Sequence, residues 1–346
     1  MKKIKYLFCL VLFALGTAFP ANSQDIHFSQ FSASPSTLNP AQTGAFNGMF
    51  RVVGNYKDQW RSIGDPYTTY SGAFDMPFLK DKITNGAAAY GLSFLSDKAG
   101  DLNFATNVFT LSLAANKSVN KQNNFSLGLQ GGFGQRGVSA DASKQQWGNQ
   151  YIGNSGFDQN ASSGETTPLE SITFGDFSTG LLWRYTAKLI AFNAGAAIFH
   201  LNTPKQSFYK DSDKLFSKIA IHGGSKIDVK NKNMSFLPEV LFLKQGPQIE
   251  TNAGLLIKYV LQGGSKYTGQ ITETAVYIGG WYRLQDAAIV NVRMDYQNFS
   301  VGVSYDFNIS TLKVVSASKG GIEVSVAYIH PVPAMKPVKQ KRRSLM

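Results

Sequence analysis

A two-residue rhythm governs the last third of this chain. Val301, Val303, Tyr305, Phe307 and Ile309 alternate with Gly302, Ser304, Asp306, Asn308 and Ser310. Just upstream, Val290, Val292, Met294 and Tyr296 alternate with Asn291, Arg293, Asp295 and Gln297. A period of two places each set on one face of a strand. One face is wholly apolar, and the other carries charges that a dry core would not accept unpaired. Lipid on one side and a polar lumen on the other satisfies both faces. The pattern therefore predicts an all-β fold: a closed antiparallel transmembrane β-barrel of about 14 strands, with an N-terminal leader segment. The 33 Gly, 25 Phe and 15 Tyr fit that wall, but they fit a soluble β-sandwich or lectin-like protein as well. The alternation carries the argument, not the composition.

Lys2, Lys3 and Lys5 precede an apolar run from Tyr6 to Phe19, and Ala21-Asn22-Ser23 offers a small-residue cleavage site. Residues 1–23 read as a signal peptide, with a mature start near Gln24. Cys9, the single cysteine, would leave with it, so the mature chain has no disulfide and no thiolate chemistry. No later stretch approaches the length of an apolar membrane helix. The formal charge of +12 falls to +9 without the three signal lysines. Lys336, Lys339, Lys341, Arg342 and Arg343 hold five of those charges in a tail, so the body carries only about +4. Without a basic stripe interleaved with aromatics, nucleic acid is not an expected partner. The tail reads as a solvated terminus or as a contact for anionic headgroups or an acidic partner.

Residues 24–47 are turn-rich, with Pro35, Pro40 and Gly44, and read as a periplasmic or lumenal leader. The barrel is expected over 48–330, with a basic periplasmic tail at 331–346. Strands are expected at 49–58, 68–76, 86–96, 103–116, 123–136, 171–186, 189–200, 214–229, 234–244, 250–262, 271–283, 287–297, 300–310 and 321–330. An even count closes every edge and returns both strand ends to one side. Both termini are thus expected in the periplasm, with the long polar loop 137–170 facing outward beside 201–213 and 311–320. Short links near 187–188, 230–233 and 297–300 would face inward.

No catalytic grouping emerges. His27, His200, His222 and His330 are isolated, with no metal-ligand spacing, and no histidine accompanies Ser139, Asp141 and Ser143. Gly131-Gly132-Phe133-Gly134 and Gly223-Gly224 sit within strand patterns, where glycine marks curvature or close approach to a plug. No cofactor or metal is expected. The inward charges are the better lead: Arg293, Asp295, Asp306 and Glu323 form a candidate lumenal polar network, which either holds a plug or lines a channel. Trp60, Tyr67, Tyr70, Trp281 and Tyr282 would suit headgroup level. The Asn39-Pro40 step sets a rigid turn with Asn39 extended. Asp58, Trp60 and Arg61 would lie at the barrel mouth.

Ser29-Gln30-Phe31, Leu38-Asn39-Pro40-Ala41-Gln42-Thr43-Gly44 and Tyr56-Lys57-Asp58-Gln59-Trp60-Arg61 resemble the start of the PorP/SprF family. Trp281-Tyr282-Arg283, Asp286-Ala287, the run from Val301 to Asn308, and Gly320-Gly321-Ile322-Glu323-Val324-Ser325 resemble its end. The resemblance spans nearly the whole mature chain. It implies a non-enzymatic outer-membrane protein of Bacteroidota tied to type IX secretion, and in some members to gliding motility. The partners it implies are a secreted surface adhesin or its C-terminal region and periplasmic and lipoprotein components of the machine, beside the outer-membrane lipid that the alternating faces already call for. The rival expectation is a passive porin or a channel for small molecules.

Overall fold

The computed structural model describes residues 25–62, 64–79, 82–100, 104–138, 147–153, 156–164, 171–206, 214–264, 273–311 and 313–332. The signal segment, residues 139–146, 154–155 and 165–170 of the loop 137–170, and the five basic tail residues lie outside them. Among the described residues fourteen strands are present: β1 (Phe50–Gln59), β2 (Tyr67–Phe78), β3 (Gly86–Ala99), β4 (Phe104–Ser118), β5 (Asn123–Gly137), β6 (Ile172–Thr186), β7 (Ile190–Phe199), β8 (Lys218–Asp228), β9 (Met234–Gln245), β10 (Gln248–Gln262), β11 (Thr274–Arg283), β12 (Ala287–Tyr296), β13 (Phe299–Asn308) and β14 (Lys319–His330). Each pairs antiparallel with its sequence neighbours, and β1 closes on β14. The closure runs in unbroken register from Phe50↔His330 to Gln59↔Gly321. The expected barrel and strand count are both observed. Most strand bounds agree within a few residues. β8 begins later than expected, at Lys218, because Lys214 makes an isolated bridge with Lys205 instead of joining the strand.

The distribution of side chains is that of a soluble protein turned inside out. Leu111, Leu113, Leu127, Leu129, Phe133, Phe177 and Leu181 are exposed, whereas their strand neighbours Ser112, Ser126, Gln130, Asp176 and Ser178 are buried. A water-soluble protein buries the first class and exposes the second. Hydrocarbon around the wall reverses the preference. Among the described residues no helix is long and apolar enough to cross a membrane. The strands hold 10 to 15 residues, enough to cross at a barrel's tilt.

The near rim is where β1 starts and β14 ends; the far rim carries the connections 138–171, 200–217 and 309–318. The expected contrast of long and short links is only partial. The two-residue link Gly246-Pro247 lies on the far rim, and the 263–273 link lies on the near rim. Gly246, at φ +54, takes the left-handed turn that so tight a connection needs.

The leader does not lie beside the barrel. It runs lengthwise through the lumen, from Asp25 at the far rim to Gly48 beside Ile329 and His330 at the near rim. Strand parity places Phe50 and His330 together, yet the leader emerges at the opposite end. The described part of the leader begins at the far rim while β14 ends at the near one; the two termini, expected on one side, lie outside the described residues. An even strand number constrains strand ends only; a thread through the lumen is free of it.

Alternation makes adjacent residues unequal. Leu129→Arg, on the lipid face near the middle of β5, is expected to cost about 2–4 kcal/mol. Ser178→Ala, which removes an unpartnered lumenal hydroxyl, is expected to be near neutral. Urea unfolding in lipid vesicles measures both.

Candidate functional site: a leader-filled lumen

Three turns fold the middle of the leader: Phe31–Ala33, Pro35–Leu38 and Pro40–Gln42. Pro35 and Pro40 each open a turn, where a missing N–H costs nothing. Asn39, held extended before Pro40 at φ −165, caps the last turn by accepting from the Ala41 N–H at 2.8 Å. Its amide nitrogen donates to the Leu181 carbonyl at 2.9 Å and meets His222 Nε2 at 3.1 Å. Asn39 and Pro40 are fully buried against β5, β6 and β8. A Cβ at Gly128 would run into the Pro40 and Ala41 backbone, and one at Gly180 into the Asn39 side chain. These glycines let the leader lie directly on the wall. Beyond them, Arg184 donates to the Ala45 carbonyl at 2.7 Å, and Asp75 accepts from the Gly44 N–H at 2.7 Å.

The first residues of the leader form an arm held mainly by charge. Both oxygens of Glu323 accept main-chain N–H groups, from Ser29 at 2.7 Å and Gln30 at 2.9 Å. Lys57 donates to the His27 carbonyl at 2.9 Å. Arg283 donates to Ser29 Oγ at 2.7 Å and to Asp306 at 3.1 Å, while Ser29 Oγ itself donates to Asp306 at 2.6 Å. Glu250 lies 3.5 Å from Arg283 and 3.2 Å from His27. Each of these charged wall groups is buried, so the lumen tolerates them only because they pair with one another and with the arm. Phe31 and Leu38 add an apolar knot with Leu241, Leu256, Trp281 and Ile289. The Phe31 and Trp281 rings lie 5.9 Å apart. Trp281 thus faces the lumen, not the headgroups, because the odd positions of β11 point inward.

The expected lumenal network splits in two. Asp306 and Glu323 grip the arm. Arg293 and Asp295 form a separate group nearer the near rim, with Arg293 stacked over Tyr277 at 3.7 Å and Asp295 accepting from Tyr277 and Ser300 at 2.6 Å. The expected mouth group also stands apart from the leader. Asp58 shares the outward face of β1 with Tyr56 and pairs with Arg61, while Trp60 packs edge-on to Tyr67 at 5.1 Å, all at the far rim. Arg283, Glu250, Lys57 and His200 were missed, although strand parity alone marks the first three as inward.

At the far rim, Asp25 is pinned by Lys218 at 2.9 Å and by His200 Nε2, while its N–H donates to Gln245 at 2.8 Å. His200 Nδ1 donates to Asp176 at 2.9 Å. Both ring nitrogens face carboxylates, which only accept, so both must carry protons. Burial opposes that charge, but the hydrogen bonds to Asp176 and Asp25 outweigh it and raise the His200 pKa above its ordinary 6.5. Burial likewise opposes charge on Asp25, yet Lys218 and His200 hold its carboxyl below the usual range. Among the described residues no cluster suits a metal ion.

The model of the family described as "Type IX secretion system membrane protein PorP/SprF" matches residues 21–328. The chain belongs to this family. It is a type IX secretion component with an outer-membrane barrel fold. No curated protein matches this PorP/SprF chain in sequence. Among solved structures it is similar to the Ralstonia pickettii toluene transporter TbuX, at 9% identity and TM-score 0.47, over 85% of this chain and 92% of that one. It is similar to the P. putida toluene transporter TodX at 9% identity and TM-score 0.47, over 86% and 93% of the two chains. The CymD monoaromatic hydrocarbon channel gives 10% identity and TM-score 0.47, over 90% and 96%.

Two outcomes are expected. The stability gap between wild type and His200→Gln should be full below pH 6.5, where folded and unfolded imidazoles are both charged. It should shrink as pH rises through the higher folded pKa; thermal denaturation from acid to alkaline pH reads it. Gly128→Val should push the leader off the wall, so that planar bilayers show conductance where wild type shows none.

Proposed function

We propose that this outer-membrane component docks a large secreted surface adhesin, anchoring it or passing it on, with its own lumen closed by the leader. The observation that supports this best is the leader itself, a polypeptide that runs the length of the barrel with its first residues held by buried main-chain contacts from Glu323 and Lys57. A channel for small solutes has no use for such a fastening, and the rival reading as a passive porin needs an open lumen.

In this reading the far rim faces the cell surface. The connections 138–171, 200–217 and 309–318 meet exported protein there, and the helical turn Lys313–Ser316 presents the exposed pair Val314 and Val315. The near rim faces the periplasm, where the tail with Lys336, Lys339, Lys341, Arg342 and Arg343 meets periplasmic and lipoprotein components of the machine. Asp58, Trp60 and Arg61 brace the surface-side mouth, and Arg293 with Asp295 line the periplasmic entrance.

Co-purification from native membranes tests the proposal. Recovery of an adhesin together with secretion components is the expected result. A barrel that comes out alone, conducting steadily in planar bilayers, would instead be a porin.

A further inference from the structure

The two halves of the leader are held in different ways. Residues 39–45 lie against backbone at Gly128 and continue covalently into β1, so they cannot leave without disturbing the wall. Residues 25–31 are held by wall side chains instead: ion pairs at Asp25, contacts to the main chain at His27, Ser29 and Gln30, and contacts to the side chains of His27, Ser29, Gln30 and Phe31. Cleavage of the signal near residue 23 would leave this arm ending at the far rim.

The wall around the arm also has hydrogen-bonding capacity that the arm does not use. Asn252, with 0% exposure, points inward beside Arg283 in the β10–β11 register, and neither its amide nitrogen nor its amide oxygen has a partner. Ser304, buried opposite Glu323 in the β13–β14 register, has an unpartnered hydroxyl. Asn55 donates to the Ala33 carbonyl, but its own oxygen is unpaired. A buried polar atom without a partner costs about 1–3 kcal/mol. Three such side chains around one segment mark that segment as an imperfect ligand.

We infer that the far half of the lumen is a binding site for a peptide segment from another chain, for which residues 25–31, bent at Ser29 and Gln30, are the resident stand-in. Glu323 and Lys57 clamp the main chain, Glu323 at the bend of residues 29 and 30, and so accept any segment that can take that bend. Asp306 and Arg283 select a small hydroxyl side chain at the position of Ser29. The pocket of Trp281, Leu241 and Leu256 selects an aromatic ring two residues later. The ligand class is a peptide that bends as residues 29–31 do, with a small hydroxyl residue two positions before an aromatic one. A polar residue able to reach Asn252 or Ser304 would bind better than the native arm. This deepens the docking reading by naming the place where an exported segment would be held, and it rests on that reading for the peptide's source.

Anisotropy of a fluorescein-labelled synthetic peptide covering residues 24–35 tests the site on purified mature protein in detergent. Ser29→Glu sets a carboxylate between Asp306 and Glu323 and should expel the arm. The folded variant, identified by heat-modifiable gel mobility, should bind the peptide saturably and at least about tenfold more tightly than wild type does. Adding Glu323→Gln should weaken binding about tenfold, the value of one charge-assisted hydrogen bond. Should Ser29→Glu not fold, Phe31→Ala loosens the arm by a different route and takes its place; should Glu323→Gln not fold, Lys57→Gln removes the other main-chain contact. A folded variant that fails to bind, or that binds equally a peptide with alanine at both selected positions, overturns the inference. No secretion partner is present in this assay, so its failure leaves the co-purification result standing, and the reverse holds as well.

Discussion

Hydrocarbon offers no hydrogen bonds, so every N–H and C=O of the wall must find a partner in the wall. The pairing of β1 with β14 is what makes that possible. Without it two strands would present open edges to lipid, and alternation elsewhere would be worthless. Closure also creates the lumen, a space that apolar side chains do not fill. The inward positions become polar by default, and the next physical problem is how to satisfy them.

The leader is the answer to that problem. Lys57, Glu250, Arg283, Asp306 and Glu323 lie far from bulk solvent, and removing one partner from such a group strands the others at about 3–5 kcal/mol. Ser29 and the main chain at His27 and Gln30 complete the set from the lumenal side. The wall and leader therefore stabilise each other. The barrel supplies the acceptors and donors, and the leader supplies the atoms that keep them from being orphans. At the small apolar knot of Phe31, Leu38 and Trp281 the lumen behaves like an ordinary core.

Most of the wall was legible from residue order. Leu127 and Leu129 against Ser126 and Gln130 declare two faces without any knowledge of the neighbours, because the pleat itself has a period of two. The same counting would have marked Trp281 and Arg283 as lumenal, since they share parity with the buried Ala275 and Tyr277. Assigning Trp281 to the headgroups favoured residue type over parity, and parity won. Asn39 was legible as a turn residue from the proline that follows it. Its contact with Leu181 and His222 was not.

Residue order by itself determined the strands, their even number and the inversion of polar and apolar faces, because each depends on local alternation and on the length needed to cross a bilayer. The path of the leader was decided only by tertiary structure. A turn-rich segment has no period to betray its surroundings. The meeting of Ser29 with Glu323, 294 positions apart, exists only once fourteen registers have been fixed and the cylinder has closed around it.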